Sequence, residues 1–219
     1  MIYLLVNKKG GVGKSTIAAS LAVYLHDLGR KVAVLDADEQ LHTLRALVEA
    51  EPQIAVGAQF DPDQIPKTIK GLAATHDDVV ADAPARLGDE TRSLMLLADV
   101  AIFPMEPTIK CLRSTKESVK VLEYARDLVG RPKHAWLVLN KAKKRTRIFR
   151  EIETLAPQLG LQVATSVVRD LQAFPEADQQ GTVVTRMSSD SIGVRNAHAD
   201  ITALFSEIVQ LQTRKVANE

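Results

Sequence analysis

The apolar run Ile2-Tyr3-Leu4-Leu5-Val6-Asn7 passes directly into Lys8-Lys9-Gly10-Gly11-Val12-Gly13-Lys14-Ser15-Thr16. An amphipathic stretch, Ser15–Leu28, follows, with Ile17, Leu21, Tyr24, Leu25 and Leu28 on one stripe. Strand, glycine-rich turn and helix, in that order, form the context in which a phosphate-binding loop works. The glycines let the backbone turn tightly and aim N–H groups at phosphate oxygens. The helix N-terminus adds positive dipole charge at the same point. Gly10, Gly11, Val12, Gly13, Lys14, Ser15 and Thr16 are therefore candidate nucleotide contacts. Lys14 is placed to reach the β- and γ-phosphates, and the Ser15 hydroxyl to bind Mg²⁺. A plain glycine-rich turn before a helix accounts for the glycines but not for Gly-Lys-Ser-Thr in this setting.

The same alternation continues along the chain. Ile2–Asn7, Lys31–Asp36, Val79–Asp82, Val100–Met105, Ala135–Asn140 and Gln162–Val168 read as strands. Several are almost continuously apolar, as parallel strands covered on both faces are. Ser15–Leu28, Ser114–Leu128 and about Ala197–Gln212 read as helices, with Gly29 and Gly130 as stop signals. Glu49–Asp63 gives no assignable element. The pattern predicts an α/β fold: a single doubly wound, mostly parallel sheet with helices on both faces, of the P-loop NTPase type. The 219 residues suffice for one sizeable core, and the expectation is one domain over 1–219. Ligands in such sheets sit at the carboxyl ends of the strands.

Composition narrows the function. Hydrophobic residues make up 46% and charged residues 25%, so most of the chain is not intrinsically disordered. The apolar runs are far shorter than the roughly 20 residues that span a bilayer. No basic leader precedes the first strand, so no signal peptide is expected. One cysteine, Cys111, excludes a disulfide framework and a Cys-rich metal site and reads as a small buried or loop residue. The five histidines lack metal-ligand spacing. A net charge of +1 means that any nucleic-acid binding must come from a local patch. Only 4% aromatics argues against reading single strands by base stacking.

Carboxylates fall at two strand ends. Lys31–Leu35 runs into Asp36-Ala37-Asp38-Glu39-Gln40. Asp36 and Asp38, two apart, can face one side of the crevice. There they either hold Mg²⁺ through water, orient an attacking water, or simply cap a helix. Val79-Val80-Ala81-Asp82-Ala83-Pro84 reads as a strand ending in a Walker B aspartate, Asp82, which accepts hydrogen bonds from Mg²⁺-bound water. Asn140, at the end of another strand, is either a base contact or a strand-end turn residue.

The usual Gly-x-x-x-x-Gly-Lys-Ser spacing puts its first glycine at position 8, where this chain has Lys8. With Lys9 preceding the glycines, the loop resembles the deviant Walker A motif of the ParA/MinD family of ATPases. Asp36 to Gln40 resembles that family's Asp-x-Asp-Pro-Gln segment, with Glu39 in place of proline. Glu106-Pro107-Thr108 after Val100–Met105 resembles its next strand and loop. The similar order covers roughly residues 1–211. The resemblance implies ATP and Mg²⁺ as ligands and an ATP-dependent sandwich homodimer in which Lys9 reaches the partner's nucleotide. It makes Lys9, Lys14 and Asp38 the catalytic group, Asp38 positioning water. Ser15, Asp36 and Asp82 become the metal-side residues, Asp36 in the outer shell. Asn140 becomes an adenine contact, Ala83–Arg92 a γ-phosphate switch, and Val168–Pro175 the segment closing the base pocket. Ala83-Pro84-Ala85 departs from the commoner Thr-Pro-Pro.

Lys141, Lys143, Lys144, Arg145, Arg147 and Arg150 put six cations in ten residues with no acid among them. The run is either a solvated face or a surface for nonspecific double-stranded DNA, bound through phosphates. Lys143, Lys144, Arg145 and Arg147 are the leading candidates. Arg195, just before the last helix, is a further one, from relatives that bind DNA near there. The final helix, with Ile201, Leu204, Phe205, Ile208, Val209 and Leu211, fits a core stripe better than a membrane anchor, because nothing large and apolar follows it. The first strand starts at residue 2, so no N-terminal DNA-recognition domain is expected.

The implied function is a small ParA-type partition ATPase, cytoplasmic and nucleoid-associated, not on a membrane. A ParB-like centromere-binding protein would stimulate its hydrolysis. The rivals are a MinD-like positioning ATPase at a membrane, an ATP-dependent ligase on the same fold, and a nucleotide-sensing scaffold that does not hydrolyse.

Overall fold

The computed structural model describes residues 1–39 and 51–216, with side-chain surroundings up to residue 210. Gln40, the start of the unassigned Glu49–Asp63 stretch and the tail after Gln210 lie outside those limits, wholly or for their side chains.

Among the described residues, seven parallel strands form the centre. They are β1 (Ile2–Leu5), β2 (Val32–Asp36), β3 (Ala55–Ala58), β4 (Asp78–Asp82), β5 (Val100–Met105), β6 (His134–Leu139) and β7 (Gln162–Val163). Their order in the sheet is β3-β2-β4-β1-β5-β6-β7, and every pairing is parallel. Among the described residues the α-helices are α1 (Lys14–Asp27), α2 (Ile65–Ala73), α3 (Asp89–Leu97), α4 (Ile109–Val129), α5 (Arg147–Leu155), α6 (Ala173–Gln179) and α7 (Ile192–Val216). Strand order reverses at β1, which has β4 on one side and β5 on the other. A crevice opens at such a reversal, and the Lys8–Thr16 segment leaves β1 at that end.

Alternation along β1 divides the core in two. Tyr3 and Leu5 face a cluster with Ile17, Leu21 and Leu25 of α1 and Ile201, Leu204 and Phe205 of α7. Leu4 and Val6 face the opposite cluster, with Ile65 and Ile69 of α2, Leu94 and Met95 of α3, Leu122 of α4 and Ile152 of α5. Helices thus cover both faces, as the apolar strands predict. Tyr24 of α1 meets Phe205 of α7 with ring centroids 5.5 Å apart. The last helix is therefore core, as its stripe predicts. Among the described residues no helix is long and apolar enough to cross a membrane.

Some boundaries differ from the sequence reading. The stretch without assignment contains β3, which pairs with β2 from Ala33↔Ala55 to Asp36↔Ala58. Its Ala-Val-Gly-Ala sequence carries little hydrophobic signal, and its side chains are half-buried or exposed at the sheet edge. Gln162–Val168 is a strand over two residues only. The N–H groups of Ala164 and Val168 still bond to the carbonyls of Leu137 and Leu139. Between them the carboxylate of Glu207 in α7 takes the N–H groups of Thr165 and Ser166, which interrupts the ladder. The last helix begins at Ile192, because the Ser191 hydroxyl accepts from Val194 N–H at its start. Arg195 consequently lies in its first turn, not before it. The short helices α2, α3, α5 and α6 have at most nine residues, too few for periodicity alone to separate them from loops.

Candidate functional site

The phosphate loop is shaped at both ends by side chains from elsewhere. Gly11 and Gly13 have φ of 78° and 89°, a region that favours glycine. A Cβ on Gly13 would also lie 2.3 Å from Asn140 Nδ2. That amide nitrogen donates to the Val12 carbonyl at 2.7 Å. Lys141 follows with a positive φ of 50°, and its ammonium donates to the Gly11 carbonyl at 2.6 Å. At the entry, Lys8 N–H donates to Ser118 Oγ at 2.9 Å and Lys9 N–H to Asn7 Oδ1 at 3.0 Å. Val12 is buried in the core under the loop. Gly10 faces the segment after β4, its added Cβ 3.6 Å from that of Ala85.

Lys14, Ser15 and Asp82 converge where the loop enters α1. Lys14 is buried; burial lowers its pKa, and the carboxylates of Asp82 and Asp38 act the other way. Ser15 Oγ donates to Asp82 Oδ2 at 2.5 Å. Asp82 ends β4 and stands opposite Asp36 at the end of β2 in the sheet register. Burial pushes the Asp82 carboxyl up to about 7, against the opposing pull of Lys14 and the Ser15 hydroxyl; Asp36 and Asp38 push it further up. Among the described residues, Asp82 Oδ1 has no hydrogen-bond partner. A buried carboxylate oxygen beside a serine hydroxyl is a hard, oxygen-only donor set, which suits Mg²⁺ completed by phosphate and water.

Asp38 is half-buried, and its N–H donates to Asp36 Oδ1 at 3.0 Å. Asp36 thus supports the turn that carries Asp38. Lys9 is also half-buried. Its ammonium makes no hydrogen bond or ion pair among the described residues. Thr16 lines a small cavity with Gly13, Asn140, Leu171, Phe174 and Pro175. Within Ala83–Arg92, the buried Thr91 hydroxyl donates to the Arg86 carbonyl at 2.7 Å, and Arg86 pairs with Glu90 at 2.6 Å.

The basic run is neutralised in part. Lys143 pairs with Asp170 at 3.2 Å and Arg147 with Glu151 at 2.7 Å, while Lys141 lies 3.8 Å from Glu106. Lys144, Arg145 and Arg150 are exposed and have no ion pair among the described residues. Arg195 is exposed as well, on α7, and apart from this run in sequence. Sequence reading missed Asn7, Thr115 and Ser118. Asn7 carried a legible signal, a polar residue closing an apolar strand. Thr115 and Ser118 carried none, since their role depends on the loop that α4 packs against.

The profile of the CobQ/CobB/MinD/ParA nucleotide-binding domain matches residues 3–184. The chain belongs to this family. It is 30% identical over 209 residues to the maintenance of carboxysome distribution protein A of Halothiobacillus neapolitanus, covering 93% of this chain and 94% of that protein. It is 26% identical over 227 residues to the chromosome-partitioning ATPase Soj of Thermus thermophilus, covering 89% and 90%. The crystal structure of the cell division ATPase MinD of Pyrococcus furiosus superposes with a TM-score of 0.78 at 26% identity, covering 96% of this chain and 98% of that one. The family is one of nucleotide-binding domains, and these relatives place the chain among its ParA/MinD-type positioning proteins.

Proposed function

We propose that this ParA/MinD-family chain is an Mg²⁺-dependent ATPase that dimerises on ATP, binds nonspecific double-stranded DNA, and hydrolyses ATP when a ParB-like centromere-binding protein engages it. The cargo is a plasmid, a chromosome region or another large particle, and the protein works in the cytoplasm on the nucleoid. The observation that carries the reading is the contrast between two lysines of one loop. Lys14 is buried and faces Asp82 and Asp38. The Lys9 ammonium makes no hydrogen bond or ion pair among the described residues, which suits a cation meant for another molecule's phosphates.

The residues divide the work as follows. Backbone N–H groups of Gly10–Thr16 and the positive end of α1 hold the phosphates, with Lys14 on the β- and γ-oxygens. Mg²⁺, when bound, neutralises phosphate charge there; Ser15 and Asp82 would hold it, with Asp36 behind them. Asp38 orients the attacking water. Asn140 fixes the loop through Val12 and borders the cavity that would take the base. Lys9 of one protomer adds a second cation at the partner's leaving phosphate.

The test is a gel shift on unrelated duplex DNA with ATP, ADP and no nucleotide, beside light scattering under the same conditions. The expected result is a dimer and a shift with ATP only. A monomer under all three conditions, or binding indifferent to nucleotide, would overturn the reading. Flotation with anionic vesicles in place of a DNA shift would move the protein to membrane positioning.

A further inference from the structure

We propose that Asn7 is a positioning residue for Lys9: its buried side-chain amide, locked between β5 and α4, holds the Lys9 backbone so that the ammonium projects out of its own site. The inference rests on the sandwich reading of Lys9 and adds what aims that lysine.

Asn7 is fully buried at the point where the chain leaves β1. Its Nδ2 donates to the Pro104 carbonyl of β5 and to Thr115 Oγ1 of α4, each at 2.9 Å. Those partners are 97 and 108 residues away in sequence. Both amide hydrogens are therefore engaged, which orients the group and turns Oδ1 towards Lys9 N–H, 3.0 Å away. Thr115 is itself fully buried, so it cannot swing aside. One helical turn on, the equally buried Ser118 takes Lys8 N–H. The entry of the loop is thus fastened to α4 at two successive residues.

The rest of the loop is held by different groups. Asn140 holds Val12, Lys141 holds Gly11, and α1 carries Lys14 and Ser15. Losing the Asn7 amide therefore releases Lys9 while leaving the Gly11–Ser15 half in place. A lysine has a long flexible stem, so its reach is governed by where its backbone starts and points. A purely structural Asn, satisfying a strand end, predicts a different result: a general loss of stability that weakens nucleotide binding and dimerisation together, or neither.

The experiment compares wild type, Asn7→Ala, Lys9→Ala, the double variant, Thr115→Val and Thr115→Ser. Nucleotide affinity is measured with a fluorescent ATP analogue, and ATP-dependent dimerisation by light scattering. Asn7→Ala should keep nucleotide affinity within about threefold and weaken the dimer by about tenfold or more, towards the level of Lys9→Ala. In the Lys9→Ala background it should add no further loss, because the two changes remove one interaction. Thr115→Val should weaken the dimer in the same direction, and Thr115→Ser, which keeps the hydroxyl, should restore it. If Asn7→Ala does not fold, the two Thr115 variants decide. Equal dimer affinity in wild type, Asn7→Ala and Thr115→Val overturns the positioning role, as does parallel loss of nucleotide and dimer. A wild type that binds nucleotide but never dimerises with ATP overturns the sandwich reading, and this inference with it.

Discussion

Gly13 and Asn140 meet so closely that a Cβ on the glycine would stand 2.3 Å from the amide nitrogen of the asparagine. The phosphate loop and the end of β6 therefore share a contact that only glycine permits. Gly13 also has φ of 89°, which an L side chain rarely adopts. Gly13→Ala should lower the melting temperature and abolish nucleotide binding, at a cost of more than about 1 kcal/mol. Adding Asn140→Ala should recover part of the stability, by removing the overlap but not the backbone strain. Calorimetry of the two variants checks both statements.

The two loop lysines should separate in binding experiments. Lys14→Ala should abolish ATP binding, because the phosphate charge loses its direct partner. Lys9→Ala should keep its nucleotide affinity while its ATP-dependent dimer weakens by about tenfold or more. Wild-type nucleotide affinity in Lys14→Ala would remove the phosphate-loop assignment.

A carboxylate that orients water contributes to hydrolysis and little to ground-state binding. Asp38→Ala should therefore hold ATP, stay dimeric and remain on DNA, with phosphate release at background. Turnover equal to wild type would shift the role to another carboxylate.

Asp82 gives a pH signature in the nucleotide-free protein. Burial raises its folded-state pKa to about 7 from the ordinary carboxyl value of 3.8. Below the lower value both states are protonated. Between the two values the unfolded chain binds fewer protons, so stability falls as pH rises from about 4 to 7 and levels off above that. Asp82→Asn should flatten that part of the profile and be more stable than wild type near neutral pH without Mg²⁺. Melting temperatures across this range, without nucleotide or metal, are the measurement. Parallel curves for the two proteins would show that Asp82 titrates normally.

On the basic run, the cations with no ion pair among the described residues should matter more than the paired ones. Phosphate contacts release counterions, so each lost contact lowers the log–log salt slope of DNA binding by about 0.9. Glu at Lys144, Arg145 and Arg150 should reduce affinity and slope more than Glu at Lys143 and Arg147, whose charges already face Asp170 and Glu151. Nucleotide binding should survive both. Unchanged slopes would make the run a solvated face and move the DNA surface towards Arg195.

Features that local chemistry specifies were legible without any tertiary context. Gly10–Thr16, lying between an apolar run and an amphipathic helix, specifies a tight glycine turn into a helix N-terminus. Continuous apolar strands require cover on both faces, so the doubly wound sheet and Asp82 at a strand end were legible. The tertiary structure decided what depends on contacts between residues far apart in the chain. β3 exists because β2 offers it an edge, not because Ala55–Ala58 is strongly apolar. Glu207 interrupts the seventh strand from a helix more than forty residues later. Asp170, outside the basic run, pairs with Lys143, and Glu106 lies 3.8 Å from Lys141. Asn7 owes its orientation to Pro104 and Thr115, about a hundred residues on. Such groups come together only after the sheet has ordered β1, β5 and β6 side by side, and no local pattern encodes that juxtaposition.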